Sequence, residues 1–165
     1  MDDDARRLAQ TLLRTERHGA LATLDPATGW PNASRVSVAT AMDGHPLFLA
    51  SQLSPHFGAM QADGRVSLLL GSPGKGDPLA HARMTVIGRA AILEGEARER
   101  NMRRFLARQP KAELYAFFGD FALWQLSIER VSLNGGFGKA YEMTAADMLT
   151  PEMPDLAAME AGAVE

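Results

Sequence analysis

The dipeptide Asp43-Gly44 stands between two runs of strand-forming residues, VSVATAM and PLFLAS, and this hairpin signal constrains the fold more than any other feature of the chain. A two-residue type I′ turn needs positive φ at both central positions, which Asp-Gly accepts, so the two runs are expected to pair antiparallel. The pattern recurs. GALATLD and ASRVSVATA flank the turn-rich DPATGWPN, RVSLLLG and RMTVIGRAAIL flank GSPGKGDPLA, and FALWQLSIERVSLN and KAYEM flank GGFG. Gly88, inside one of these runs, marks a bulge or a close backbone approach.

Helical patterns lie at the start and late in the chain, with one short piece between strands. In MDDDARRLAQTLLRTERHG, Asp2 to Asp4 supply an N-cap and first-turn acid, Leu8, Leu12 and Leu13 an apolar stripe, and Arg14, Arg17 and Gly19 an end. SPHFGAMQADG carries Ser54 as N-cap, Pro55 at the first helical position and Gly64 as terminator. EGEARERNMRRFLARQ places Met102, Phe105 and Leu106 on one side, and Pro110 opens a further helical piece, KAELYAFFG, closed by Gly119. Six or seven strands in hairpin order with peripheral helices predict a mainly β, antiparallel barrel. A doubly wound sheet is excluded because helices do not alternate with strands. With 165 residues, 46% of them hydrophobic, one domain is expected over residues 1–143, followed by a tail or short helix over 144–165.

Several function classes fall away on composition. A net charge of −3 with Lys and Arg spread along the chain gives no footprint for a nucleic acid. The absence of Cys removes thiol nucleophiles and thiolate metal sites. The N-terminal stretch is acidic where a signal peptide is basic, and no apolar run is long enough to span a bilayer, so a cytoplasmic protein off the membrane is expected. His18, His45, His56 and His81 have no metal-ligand spacing. NGGFGKAY is a glycine turn, since a phosphate-cradling loop would need Ser or Thr after Lys139 and a helix beyond it. Trp30 and Trp124 are read as core or interface aromatics.

One surface points to a ligand. Strand alternation puts Arg35 and Ser37 on one face, and the partner strand brings Ser51 alongside before the chain turns into the helix headed by Ser54. The N–H groups of that helix start, the Ser54 hydroxyl and Arg35 make a phosphate-sized anion site, with His56 as a further donor.

The order Arg-Val-Ser-Val, Phe-Leu-Ala-Ser, Ser-Pro-His and Arg-Val-Ser-Leu-Leu resembles the FMN-binding split-barrel family related to pyridoxamine 5′-phosphate oxidase. MTVIGRAAIL and DFALWQLSIERVSLNGGFGKAY are similar to its HugZ-like haem-utilisation branch. The resemblance implies a homodimer with FMN at the shared interface. Arg35 and Ser54 would hold the phosphate, with His56 where many relatives have lysine. The backbone of Arg35, Val36, Ser37 and Val38 would run beside the isoalloxazine, and Phe48, Leu49, Ala50 and Ser51 would form the opposite wall. Arg83 is a candidate contact across the subunits, and Phe137 and Lys139 are candidates to approach the flavin from the partner.

The function so implied is a flavin-dependent oxidoreductase. The substrate-gripping Arg-x-Trp segment of the oxidases is missing from KAYEMTAADMLTPEMPDL, which speaks against that particular activity. The alternatives are a haem-binding or haem-degrading protein and a non-catalytic flavin carrier. Haem-handling relatives use a C-terminal histidine, and this chain has none after His81, although Asp120 and the GGFG turn fit that branch.

Overall fold

The computed structural model describes residues 2–150. Helix α1 (Asp3–Thr15) begins as its acidic start dictates, the Asp2 carboxylate accepting from the Asp4 and Ala5 amides. Then come β1 (His18–Leu24), β2 (Pro31–Thr40), β3 (Pro46–Ser51), α2 (Pro55–Ala62), β4 (Arg65–Leu70), β5 (Arg83–Ile92), α3 (Gly95–Arg108), β6 (Phe121–Asn134), β7 (Ala140–Thr144) and α4 (Ala145–Met148). The strands lie in the order β3-β2-β1-β4-β5-β6-β7, all neighbours antiparallel, and β3 pairs back onto β6. Six strands therefore close into a barrel and β7 extends it from β6.

The barrel interior is filled by inward-facing residues such as Leu21, Val36, Val38, Phe48, Leu68, Val86 and Leu126. Helix α2 sets Phe57 and Met60 into the same core, Phe57 meeting the Trp124 ring edge-on at 5.3 Å. Trp124 is thus a core aromatic, whereas Trp30 is 74% exposed. A second apolar cluster lies on the outer face of β2, β3 and β6, where Met102 and Phe105 of α3 cover Ala39, Leu47 and Leu123. Polar ties fix α3 there. Arg104 donates to the Thr40 carbonyl, Arg108 to the last carbonyls of α1 at Arg14 and Thr15, and Gln109 to those of Arg17 and Val38.

Gly88 is the expected close approach: the register shifts between Ile87 and Gly88, and a Cβ there would run into the Ser127 carbonyl oxygen. Other local readings need correction. The Asp43-Gly44 hairpin is not type I′, because Gly44 has positive φ and Asp43 does not. Ala41 instead pairs with His45 around a three-residue loop, the Gly44 amide donating to the Ala41 carbonyl, which asks for glycine only at the last loop position. Helix α1 ends at Thr15, so Gly19 belongs to β1. Helix α2 ends at Ala62 with Asp63 as its C-cap, and Gly64 beyond the cap does not take the positive φ of a helix-terminating glycine, while the piece after Pro110 is a short 3₁₀ turn (Pro110–Leu114) followed by further turns.

Residues 144–150 form a capped turn packed on the body, with a reciprocal Thr144–Asp147 capping box and Met148 1% exposed in the main core. The remainder of the expected tail lies outside the described residues. No helix among those described is long and apolar enough to cross a membrane.

Candidate functional site

On β2 the alternation leaves Arg35 and Ser37 exposed while Val36 and Val38 are buried in the barrel. On β3 it buries Phe48 and Ala50 in the barrel and leaves Leu49 and Ser51 partly exposed. A hollow of about 350 Å³ opens over the outer strip. It is lined by Arg35, Val36 and Ser37, by Leu49, Ala50 and Ser51, by Ser54 and His56 at the start of α2, and by Phe105, Tyr115 and Phe121. That volume is within the range of small-molecule sites. A larger hollow, about 580 Å³, runs along α3, but its charged lining of Glu96, Arg98, Glu99, Arg100 and Arg103 mixes signs on one helix face and converges on nothing.

Eight of the thirteen candidate flavin contacts named from the sequence thus share one groove. Val38 and Phe48 do not line it, their side chains being 2% and 0% exposed inside the barrel. Arg83 lies elsewhere on the chain, where its guanidinium donates to the Leu79 and His81 carbonyls at 2.7 and 3.3 Å. Phe137 and Lys139 are exposed on the β6–β7 turn. The sequence did not single out Tyr115 and Phe121, whose rings lie 5.0 Å apart and wall the groove. Phe121 arrives through the β3–β6 pairing that sets it opposite Ser51, a long-range contact with no local signature, and Tyr115, in the turns before β6, packs against its ring.

The start of α2 is less generous to an anion than its sequence implies. Pro55 has no N–H, and the Phe57 amide donates to the Ser54 carbonyl. The His56 amide is left without a partner among the described residues. Ser54 occupies the N-cap position, but its hydroxyl makes no capping bond, which frees it for the groove. Arg35 likewise makes no hydrogen bond or ion pair among the described residues. Burial pushes the His56 imidazole below its ordinary value of 6.5, so at neutral pH it is an uncharged ring with one donor and one acceptor. The groove thus sets uncommitted donors beside an aromatic wall, a donor set that suits a flat ring carrying an anionic group.

No group of three or more His, Cys, Asp or Glu among the described residues is placed to hold a metal ion.

The sequence profile described as CREG, beta-barrel matches residues 1–149. Comparison with curated proteins finds no match. Among solved structures, protein Atu2129 of Agrobacterium tumefaciens is 37% identical with a TM-score of 0.82, over 91% of this chain and 62% of that one. A haem-binding protein of Mycobacterium smegmatis is 30% identical with a TM-score of 0.83, over 90% of this chain and 61% of that one. The chain therefore spans less than two thirds of either. An FAD-binding protein of Mesorhizobium loti shares the fold at 20% identity, with a TM-score of 0.60 over 77% of this chain and 91% of that one.

Proposed function

The chain belongs to the CREG β-barrel family, and from that footing we propose that it binds FMN in the groove beside Arg35 and acts as a flavin-dependent oxidoreductase. One observation carries the reading: the Arg35 guanidinium, the Ser54 hydroxyl and the His56 ring and amide, all without partners among the described residues, line the same hollow as Leu49, Phe105, Tyr115 and Phe121. The polar set suits a phosphate, and the apolar set a flat ring that must be shielded from water. FMN, when bound, would supply the hydride chemistry. The protein's part is to fix the phosphate and to cover one face of the ring. The FAD-binding relative of the same fold supports a flavin at this kind of barrel.

The working unit in this reading is a homodimer. Leu53, Phe117 and Phe118 are 87%, 62% and 60% exposed, and Asp120, two residues beyond Phe118, bonds to Ser51 of the groove. A second copy would bury this apolar rim and close the groove. Light scattering at micromolar concentration with FMN added is expected to give the dimer mass.

A haem-binding reading has its own support in the Mycobacterium smegmatis protein at 30% identity. Arg35 and Ser54 would serve haem propionates as well as a phosphate, and the uncharged His56 ring would offer the nitrogen an iron needs. The absorption spectrum of the purified protein, titrated with each group, decides between them. Saturable binding with flavin bands supports the first reading, and a stoichiometric Soret shift lost in His56→Ala supports the second.

A further inference from the structure

Anion binding leaves one charged group beside the groove unused, the Asp120 carboxylate. The Ser51 hydroxyl donates to its Oδ2 at 2.7 Å, the length of a charge-assisted O–H···O bond. The Gln52 amide donates to the Asp120 carbonyl at 2.7 Å, the Leu53 amide to Ser51 Oγ at 3.1 Å, and the Ser54 amide to the Ser51 carbonyl at 2.9 Å. These bonds fix, residue by residue, the turn that delivers Ser54 and His56 to the groove. They also place a negative charge between two lining residues, Ser51 by hydrogen bond and Phe121 by sequence. Among the described residues Arg35 is the only arginine or lysine lining the hollow, and burial keeps His56 toward its neutral form. Within one chain the formal charges of Arg35 and Asp120 cancel.

We propose that Asp120 determines how strongly the groove prefers a phosphorylated flavin over an unphosphorylated one: it holds the Ser51–Ser54 turn in place while opposing the charge of the phosphate. This rests on the flavin reading above. The Ser51 proton, committed to Asp120, is not available to a phosphate oxygen, so affinity for the anion comes from Arg35, Ser54 and His56 against the pull of a nearby carboxylate.

The test compares FMN with riboflavin, which lacks the phosphate, by fluorescence titration of the full chain. Asp120→Asn keeps an acceptor for the Ser51 hydroxyl and removes the charge. It is expected to raise the affinity ratio of FMN to riboflavin by about three- to tenfold, with the gain shrinking as salt is added. Ser51→Ala keeps the charge and removes the tie, and should weaken both flavins with the ratio unchanged. The wild-type protein provides a measurement free of any folding defect: with Arg35 and Asp120 cancelling, its FMN affinity should fall little with salt relative to riboflavin. An unchanged ratio in Asp120→Asn, or a steep salt dependence of the wild-type ratio, overturns the proposal while leaving the flavin site standing. Failure of the wild-type protein to bind either flavin overturns the flavin reading and this proposal with it.

Discussion

Arg35→Ala is the substitution that most directly tests the site. Arg35 sits on β2 opposite Ala20 of β1, exposed and without a hydrogen bond or ion pair among the described residues, so its loss should leave the barrel intact. A hydrogen bond to a charged group contributes about 1.5 to 3 kcal/mol, roughly ten- to a hundredfold in affinity. Exposure of the side chain puts the expected loss in the lower half of that range, roughly ten- to thirtyfold for FMN. The start of α2 compensates only in part, because Pro55 has no N–H and the Phe57 amide is engaged, which leaves the His56 amide as its free backbone donor among the described residues. For the same reason Ser54→Ala is not trivial. Its hydroxyl caps nothing, so helix stability is untouched, but the bond it would give a phosphate is charge-assisted, and its loss should weaken FMN by about 1.5 kcal/mol, the low end of the range for a bond to a charged group. Fluorescence titration with FMN, with riboflavin as the control, reads both variants, and riboflavin affinity should hardly change. If Arg35→Ala binds FMN like the wild type while Arg83→Ala loses it, the phosphate belongs at the loop end of β5 and the groove has been misassigned.

The remaining expectations concern pH and stability. Burial lowers the His56 pKa, so the unfolded chain takes up that proton more readily: His56 costs no stability above its ordinary value of 6.5, and stability falls as pH drops from there through the lowered folded value. His56→Gln should flatten that part of a stability-against-pH curve measured by denaturant unfolding. A phosphate beside the ring favours its protonated form against that burial, so FMN binding to the wild-type protein should take up protons on the acid side of neutrality, and calorimetry in two buffers of different ionisation enthalpy should find no such uptake in His56→Gln. Gly88→Ala drives a Cβ into the Ser127 carbonyl and the Leu126 side chain, and overpacking of about 1 to 3 kcal/mol should lower Tm by roughly 3 to 10 °C; an unchanged Tm would mean that the bulge opens freely. Thr144→Ala removes half of the α4 capping box and should cost about 1 kcal/mol in a denaturant melt.

What the sequence disclosed, and what it hid, divides by the range of the interaction. Alternation along ASRVSVATA separated Arg35 and Ser37 from Val36 and Val38 because side-chain period 2 is a property of the strand itself. Gly88 was legible because a lone glycine in a β-branched run has few other uses. Asp43-Gly44 marks a turn but not its type, since Asp-Gly also fits a loop one residue longer, and the pairing of Ala41 with His45 decides between them. Ser54 was legible as a helix start but not as a free hydroxyl: a capping serine and a serine facing a groove have the same neighbours in sequence. The hidden part of the site is what barrel closure delivers. Pairing of β3 with β6 brings Phe121 opposite Ser51 and sets Asp120 within hydrogen-bonding distance of it, across nearly 70 residues of chain. The same closure brings Phe121 to the groove's aromatic wall and sets the Asp120 carboxylate beside it. Local sequence accordingly places the attractive half of the proposed anion site, Arg35, Ser54 and His56, and only the closed barrel brings in Asp120, the opposing half that would tune it.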